Sequence, residues 1–369
     1  MKARVQKIFE ALSPKAEALV LSNATDPHLD ASFFYVFDVA SGLFEGSFAI
    51  ALPDGTTHVL SSPLEEESAR QAAKHDSSVE VHVPQKREEW EATVRQLIPK
   101  SGAVALHYRE LTHEGFLRLE KLAPGTNWVD ASAAIRKARM IKDAHEIERL
   151  EKAGAVGSKV AVEIPGMLKT GITELELAAE IEYRMMRHGA SGRSFGTIAA
   201  FGSHSAEPHF QPQDRRLESG ASIVCDFGAY YRRYASDITR SFHFGKLDEE
   251  LKRVHETVEQ AQSAALAVIK PGVPAKEPHL AAQKVIDASP WKGRFTHGLG
   301  HSIGLSVHDG FAMNHLVEEP LEVGMTITVE PGIYLPGRGG VRIEDDIVVT
   351  SSGYRFLTTA PRGYLEVAA

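Results

Sequence analysis

Four acidic residues are embedded in stretches that otherwise read as strands: Asp226 in SIVCDFG, Asp237 in SDITRSFHF, Glu330 in MTITVEPG and Glu344 in GGVRIEDDIVVT. Aspartate is disfavoured inside strands, and a buried carboxylate needs a partner or a metal. Whatever fold the chain adopts must therefore supply counter-charge beside these segments. Residues 222–227 and 236–244 read as two strands joined across 228–235, which lets Asp226 and Asp237 meet on one face of a hairpin. Ser236, Thr239 and Arg240 offer supporting hydrogen bonds. The plainer reading makes both aspartates turn or strand-end residues with local partners. Glu330 and Glu344 would ordinarily be solvated edge residues, but Val341, Ile343 and Ile347 flank the latter, and Arg342 can neutralise it.

A second feature lies between the two acidic pairs. Residues 297–308 read HGLGHSIGLSVH, with three histidines among the small residues Gly298, Gly300, Ser302, Gly304 and Ser306. Histidine is the commonest metal ligand, and glycine admits close backbone approach. His301 would add one nitrogen to the four carboxylates. That oxygen-rich set suits two divalent metal ions, Mn first, with Co, Zn or Fe as alternatives. A two-metal centre polarises a carbonyl and supplies a nucleophile, so hydrolysis is the expected reaction. His297 and His308 flank the ligand and can donate to a substrate carbonyl or a tetrahedral intermediate. His209, in SAEPHFQP, falls in a loop, where most histidines are merely solvated. His243, His255 and His315 read as structural, and Cys225 points to the strand face opposite Asp226.

A chain of 369 residues favours two domains. The formal charge of −8 argues against sequence-independent nucleic-acid binding, which needs a basic face. A single cysteine calls for no oxidising compartment, the charged N-terminus lacks a signal-peptide core, and no long apolar run suggests a membrane span. A cytoplasmic location is expected.

The first segment reads as a small α/β domain. A helix is expected over 3–12, with strands at 18–21, 33–37 and 46–52. Pro53-Asp54-Gly55 marks a hairpin turn into a strand at 57–61. Helices at 64–74 and 88–97 and strands at 79–83 and 103–107 follow. The boundary is placed so that residues 1–130 form this domain and 131–369 the second. There, Asp143 with Glu146 and Thr173 with Glu176 read as capping pairs starting two helices. Further helices span 248–269 and 277–288. Helices flanking long antiparallel strands describe an α+β domain.

Taken together, these residues resemble the pita-bread fold metallopeptidases, in the proline dipeptidase (prolidase) and aminopeptidase P branch. The resemblance rests on HGLGHSIGLSVH together with DFG, SDITR, EPG and VRIED, in that order, and covers the chain from about residue 130 onward. The first domain is similar to the creatinase-type domain in length and element order. The resemblance implies a C-terminal pita-bread (creatinase/aminopeptidase) domain behind a smaller α/β domain. It implies Asp226 as ligand of one metal, Asp237 and Glu344 as bridging ligands, and His301 and Glu330 as ligands of the other. It makes Glu330 also the proton shuttle to the leaving amine, sets His209 near the scissile bond and His308 at the intermediate, and gives His297 and Arg342 supporting places. After His308 many relatives continue with Glu-Pro, whereas this chain has Asp309-Gly310-Phe311-Ala312.

The expected activity is a metal-dependent exopeptidase acting on small Xaa-Pro peptides, a prolidase, with aminopeptidase P as the alternative. A homodimer is expected from the resemblance. A non-catalytic peptide-binding module on the same fold is the competing class, and the full set of five ligands speaks against it.

Overall fold

The alternating elements of the first segment form one six-stranded sheet. Its strands are β1 (Ala18–Ser22), β2 (Phe48–Ala51), β3 (Thr57–Leu60), β4 (Val79–His82), β5 (Ala103–Leu106) and β6 (Asn127–Asp130), in the order β4-β3-β2-β1-β5-β6. Strand β2 runs antiparallel to β1 and β3, and the other neighbours pair in parallel. Val20, Phe48, Ile50, Leu60, Val104 and Leu106 build a core on it with Val94, Leu119 and Leu122 of the covering helices. The computed structural model describes residues 1–246 and 248–369.

Two expectations are corrected here. Phe33–Phe37 is not a strand: Ala31–Phe37 is a helix, started by Asp30, whose carboxylate accepts the Ser32 N–H at 2.7 Å. All five residues from Phe33 to Phe37 are buried, and a helix buried all round carries the same unbroken apolar run as a buried strand. The Asp30 cap was the signal that separates the two. The compact units divide at Met1–Arg139 and Met140–Ala369 rather than at 130/131. Helix Ser132–Met140 goes with the first unit because Ile135 and Ala138 are buried, the Tyr35 hydroxyl donates to the Ala138 carbonyl, and Arg139 Nη1 donates to Ser32 Oγ.

In the second unit, both expected capping boxes are formed, Asp143 with Glu146 at Ala144–Glu163 and Thr173 with Glu176 at Glu174–Arg187. Replacing the buried Thr173 by alanine is expected to cost about 1 kcal/mol, read as a lower denaturant midpoint at unchanged slope. These two helices cover one face of the antiparallel strands Ala221–Phe227 and Ile238–Phe244, with Val160, Leu177 and Ile181 against Ile223, Phe227 and Ile238. Helices Glu249–Val268 and Lys276–Asp287 cover the other strand set, where Val254, Val258 and Ile286 share a core with Ile327, Val329, Ile343 and Ile347. Each carboxylate-bearing strand set thus has its own helix pair. No helix among the described residues is long and apolar enough to cross a membrane.

Candidate active site

Strand alternation decides which side chains leave the apolar cores. Cys225 joins the core with Ile223 and Phe227, and its thiol is pushed up by burial, so Asp226 faces the other way. Asp226 stands opposite Thr239, and Asp237 directly precedes the partner strand. The connection does not run straight across: Ala229–Tyr231 and Tyr234–Ala235 form a small hairpin of their own, and Gly228 is required before it because a Cβ there would overlap the Ser236 carbonyl.

The two acidic pairs are then drawn together by hydrogen bonds. Thr239 Oγ1 donates to Glu344 Oε2 at 2.6 Å, the Glu344 N–H donates to the Thr239 carbonyl, and Ser241 Oγ donates to the Arg342 carbonyl. Arg240, buried alongside, donates to the Glu344 carbonyl at 2.6 Å and to Asp345 Oδ1 at 2.7 Å. His301 arrives on the short strand Gly300–His301, whose glycine lies so close to Thr328 that a Cβ would overlap its carbonyl. The same Thr328 hydroxyl accepts the His301 N–H and donates to Glu330 Oε1, which ties both residues to one strand end.

The result is a cavity of about 780 Å³ lined by all four acids and His301, and also by His209, His297, His308 and Arg342. His301 Nε2 lies 3.7 Å from Asp237 Oδ2 and 3.5 Å from Glu330 Oε1. Ligand atoms of Asp237, His301 and Glu344 fall within 4.8 Å of one another. His301 Nδ1 faces the Ser302 carbonyl at 3.2 Å, which places the proton there and leaves the Nε2 lone pair towards the acids. Burial, with His308 adding to it, brings His301 down to about 4, so the ring is neutral at physiological pH.

Asp237, Glu330 and Glu344 sit in an environment that resists their ionisation. Burial raises Asp237, and Glu344 and Asp226 raise it further; burial likewise raises Glu344, with Glu330 and Asp226 adding to the effect. Glu330 is pushed up to about 8 by burial, opposed by Arg342. Arg342 is the cation in contact: its Nη2 donates to Asp226 Oδ2 at 2.5 Å. One guanidinium cannot balance four carboxylates, and Asp226 Oδ1, Asp237 Oδ1 and Glu344 Oε1 are buried without a hydrogen-bond partner. Divalent cations fit this donor set, since they would meet those oxygens and reverse the repulsion.

The remaining histidines divide into two kinds. His297 has both ring nitrogens engaged, Nδ1 with the Gly298 carbonyl at 2.7 Å and Nε2 with the Tyr334 hydroxyl at 2.8 Å, and Arg342 Nη1 donates to that same hydroxyl at 2.9 Å. Both nitrogens are thus engaged within the protein at the cavity wall, in keeping with the supporting place that the resemblance implies. His308 and His209 are exposed to the cavity, and neither has a hydrogen-bond partner among the described residues. Beyond His308 the loop curls back on Ser302, which exchanges backbone hydrogen bonds with Asp309 and Phe311, while buried Asp309 lies 3.4 Å from Lys142 Nζ.

Sequence reasoning missed Tyr334, which couples His297 to Arg342, and Asp346, whose Oδ2 accepts the Asp237 N–H at 2.8 Å beneath the site. The acidic run Glu344-Asp345-Asp346 between apolar residues was the available signal for the latter.

The model of metallopeptidase family M24 matches residues 148–351, and that of the creatinase/prolidase N-terminal domain matches residues 3–141. The chain belongs to metallopeptidase family M24. An uncharacterized peptidase of Staphylococcus aureus strain USA300 is 38% identical over 68% of this chain and 72% of its own. The X-Pro aminopeptidase from Thermotoga maritima MSB8 superposes with a TM-score of 0.89 at 32% identity, over 99% of this chain and 100% of that one. The Xaa-Pro dipeptidase from Bacillus anthracis does so with 0.88 at 29% identity, over 99% of both. This M24 chain thus combines the pita-bread metallopeptidase domain with a creatinase-type N-terminal domain, as its motifs implied.

Proposed function

We propose that this M24 metallopeptidase is a dinuclear exopeptidase that hydrolyses the bond preceding proline in Xaa-Pro dipeptides. The observation that carries the reading is the convergence of four acids and one neutral imidazole, three of the acids with an orphaned oxygen, on a cavity that also presents two free histidines. Asp226 and Asp237 would hold one ion and His301 and Glu330 the other, with Asp237 and Glu344 shared; Mn²⁺ is the first choice. When bound, such ions supply Lewis acidity and a nucleophile at neutral pH.

The protein's own groups account for the rest. Glu330, anchored by Thr328 and disposed to carry a proton near neutral pH, would pass it to the departing proline nitrogen. His308 and His209 would donate to the substrate carbonyl oxygen as negative charge develops there. Arg342 and Tyr334 fix Asp226 and His297 and so hold the wall rigid. A bond before proline has no N–H, and recognition through the carbonyl side does not need one.

A second reading, aminopeptidase action on longer Xaa-Pro-Yaa peptides, is favoured by one observation. Among the described residues lining the cavity, Arg342 is the one Lys or Arg, and it is spent on Asp226, Tyr334 and Thr239, which leaves no fixed cation for a dipeptide's terminal carboxylate. Manganese-loaded protein is expected to cleave Xaa-Pro and to leave Xaa-Ala intact. Cleavage of Xaa-Pro-Yaa alone would establish the second reading, and failure on all three peptides would refute both.

A further inference from the structure

A separate group of metal-capable side chains belongs to the first unit, whereas the four acids and His301 belong to the second. Strands β3 and β4 pair in parallel with His58 beside Glu80, and His82 follows two residues along β4, so the three side chains leave the same face of the sheet. We propose that His58, Glu80 and His82 form a second metal site, for Zn²⁺ or a similar borderline transition-metal dication, that clips edge strand β4 to β3.

The distances support it. His58 Nδ1 lies 3.2 Å from His82 Nε2 and 3.2 Å from Glu80 Oε2, and all three donor atoms fall within 4.8 Å of one another. A tetrahedral ion with bonds of about 2.0–2.1 Å sets neighbouring donors roughly 3.3 Å apart. Without an ion, His58 Nδ1 faces both groups, each farther off than the usual ~2.9–3.0 Å. An ion between the three satisfies them all.

Access and strand position fit a structural role. The His58 side chain is 13% exposed and that of Glu80 59% exposed, so the site opens to solvent on the carboxylate side and leaves room for water as the fourth ligand. Strand β4 is an outer strand of its sheet, the kind of element that gains from being fastened. Two imidazoles and one carboxylate select zinc-like ions over Mg²⁺, Ca²⁺ or Mn²⁺, in contrast to the oxygen-rich cavity.

The test is zinc binding by the full chain after chelation, read as ions bound per chain in equilibrium dialysis, with and without a His301→Ala change that cripples the cavity. The protein is expected to bind one zinc more than the His58→Ala/His82→Ala variant in both backgrounds, and zinc is expected to raise its melting temperature more than that of the variant. Glu80→Gln is expected to weaken this zinc by at least about tenfold, the loss that even an outer partner of a metal ligand causes. Equal stoichiometry with and without the two histidines overturns the proposal. Should circular dichroism show that the double variant does not fold, the exposed Glu80→Gln change decides: unchanged zinc affinity there overturns it too.

Discussion

Replacing His301 by alanine is expected to strip metal from the protein and abolish turnover, whereas His308→Ala is expected to keep the metal and lower kcat about 10²–10³-fold. His301 is the imidazole that points a lone pair at Asp237 and Glu330, with its other nitrogen fixed by the Ser302 carbonyl. Without it, the remaining donors are carboxylates that repel one another, and affinity for an ion such as Mn²⁺ falls. His308 is only 4.3 Å away ring to ring, yet it is exposed and unbonded, which suits a donor to developing charge in the substrate. Loss of one such donor has an effect of the magnitude given. Elemental analysis of both variants beside their kcat values makes the check, and equal metal loss in the two would refute this division of labour.

Metal-free protein is expected to lose stability as pH rises from about 6.5 to about 8, and metal is expected to cancel the loss. Glu330, Glu344 and Asp237 have folded-state values raised above those of the unfolded chain, with Glu330 at about 8. Above the unfolded carboxylate range near 4, the unfolded chain releases protons that the folded one retains, so rising pH favours unfolding until the folded values are passed. His297 and His301, lowered to about 4, act in the opposite sense: the unfolded chain gains protons as pH falls through about 6.5. The two effects oppose each other below about 6.5 and only the acids act above it. Each pH unit of displacement corresponds to about 1.4 kcal/mol, so Glu330 alone accounts for a fall on the order of 2 kcal/mol, to which Glu344 and Asp237 add in the same sense. Calorimetry in chelator and in Mn²⁺ across this range provides the measurement. A chelated protein whose melting temperature is flat or rising there would contradict the crowding of the acids.

Much of this architecture was legible because local rules and burial agreed. The Asp143 and Thr173 capping boxes, the hairpin at Pro53-Asp54-Gly55 and the antiparallel pairing around Asp226 all follow from short-range chemistry that tertiary packing left undisturbed. Phe33–Phe37 failed for the opposite reason: an apolar run with no polar face has no period, and only the Asp30 cap distinguished helix from strand. The domain boundary slipped because helix Ser132–Met140 is assigned by what it packs on, which its own residues do not state.

At the site, sequence alone determined the chemistry of the donors. Acids set in strands between apolar neighbours cannot be left uncompensated, and a glycine-lined histidine run offers a ligand, so the demand for cations was present before any fold was known. Only the tertiary structure decided how the groups share the work. It brought residues about a hundred positions apart to hydrogen-bonding distance, as with Thr239 and Glu344, and left particular oxygens orphaned. It also engaged both ring nitrogens of His297 within the protein, and set Asp346 beneath Asp237. The physical reason is that a side chain's role depends on which of its polar atoms remain unsatisfied after folding, and that is a property of its neighbours in space.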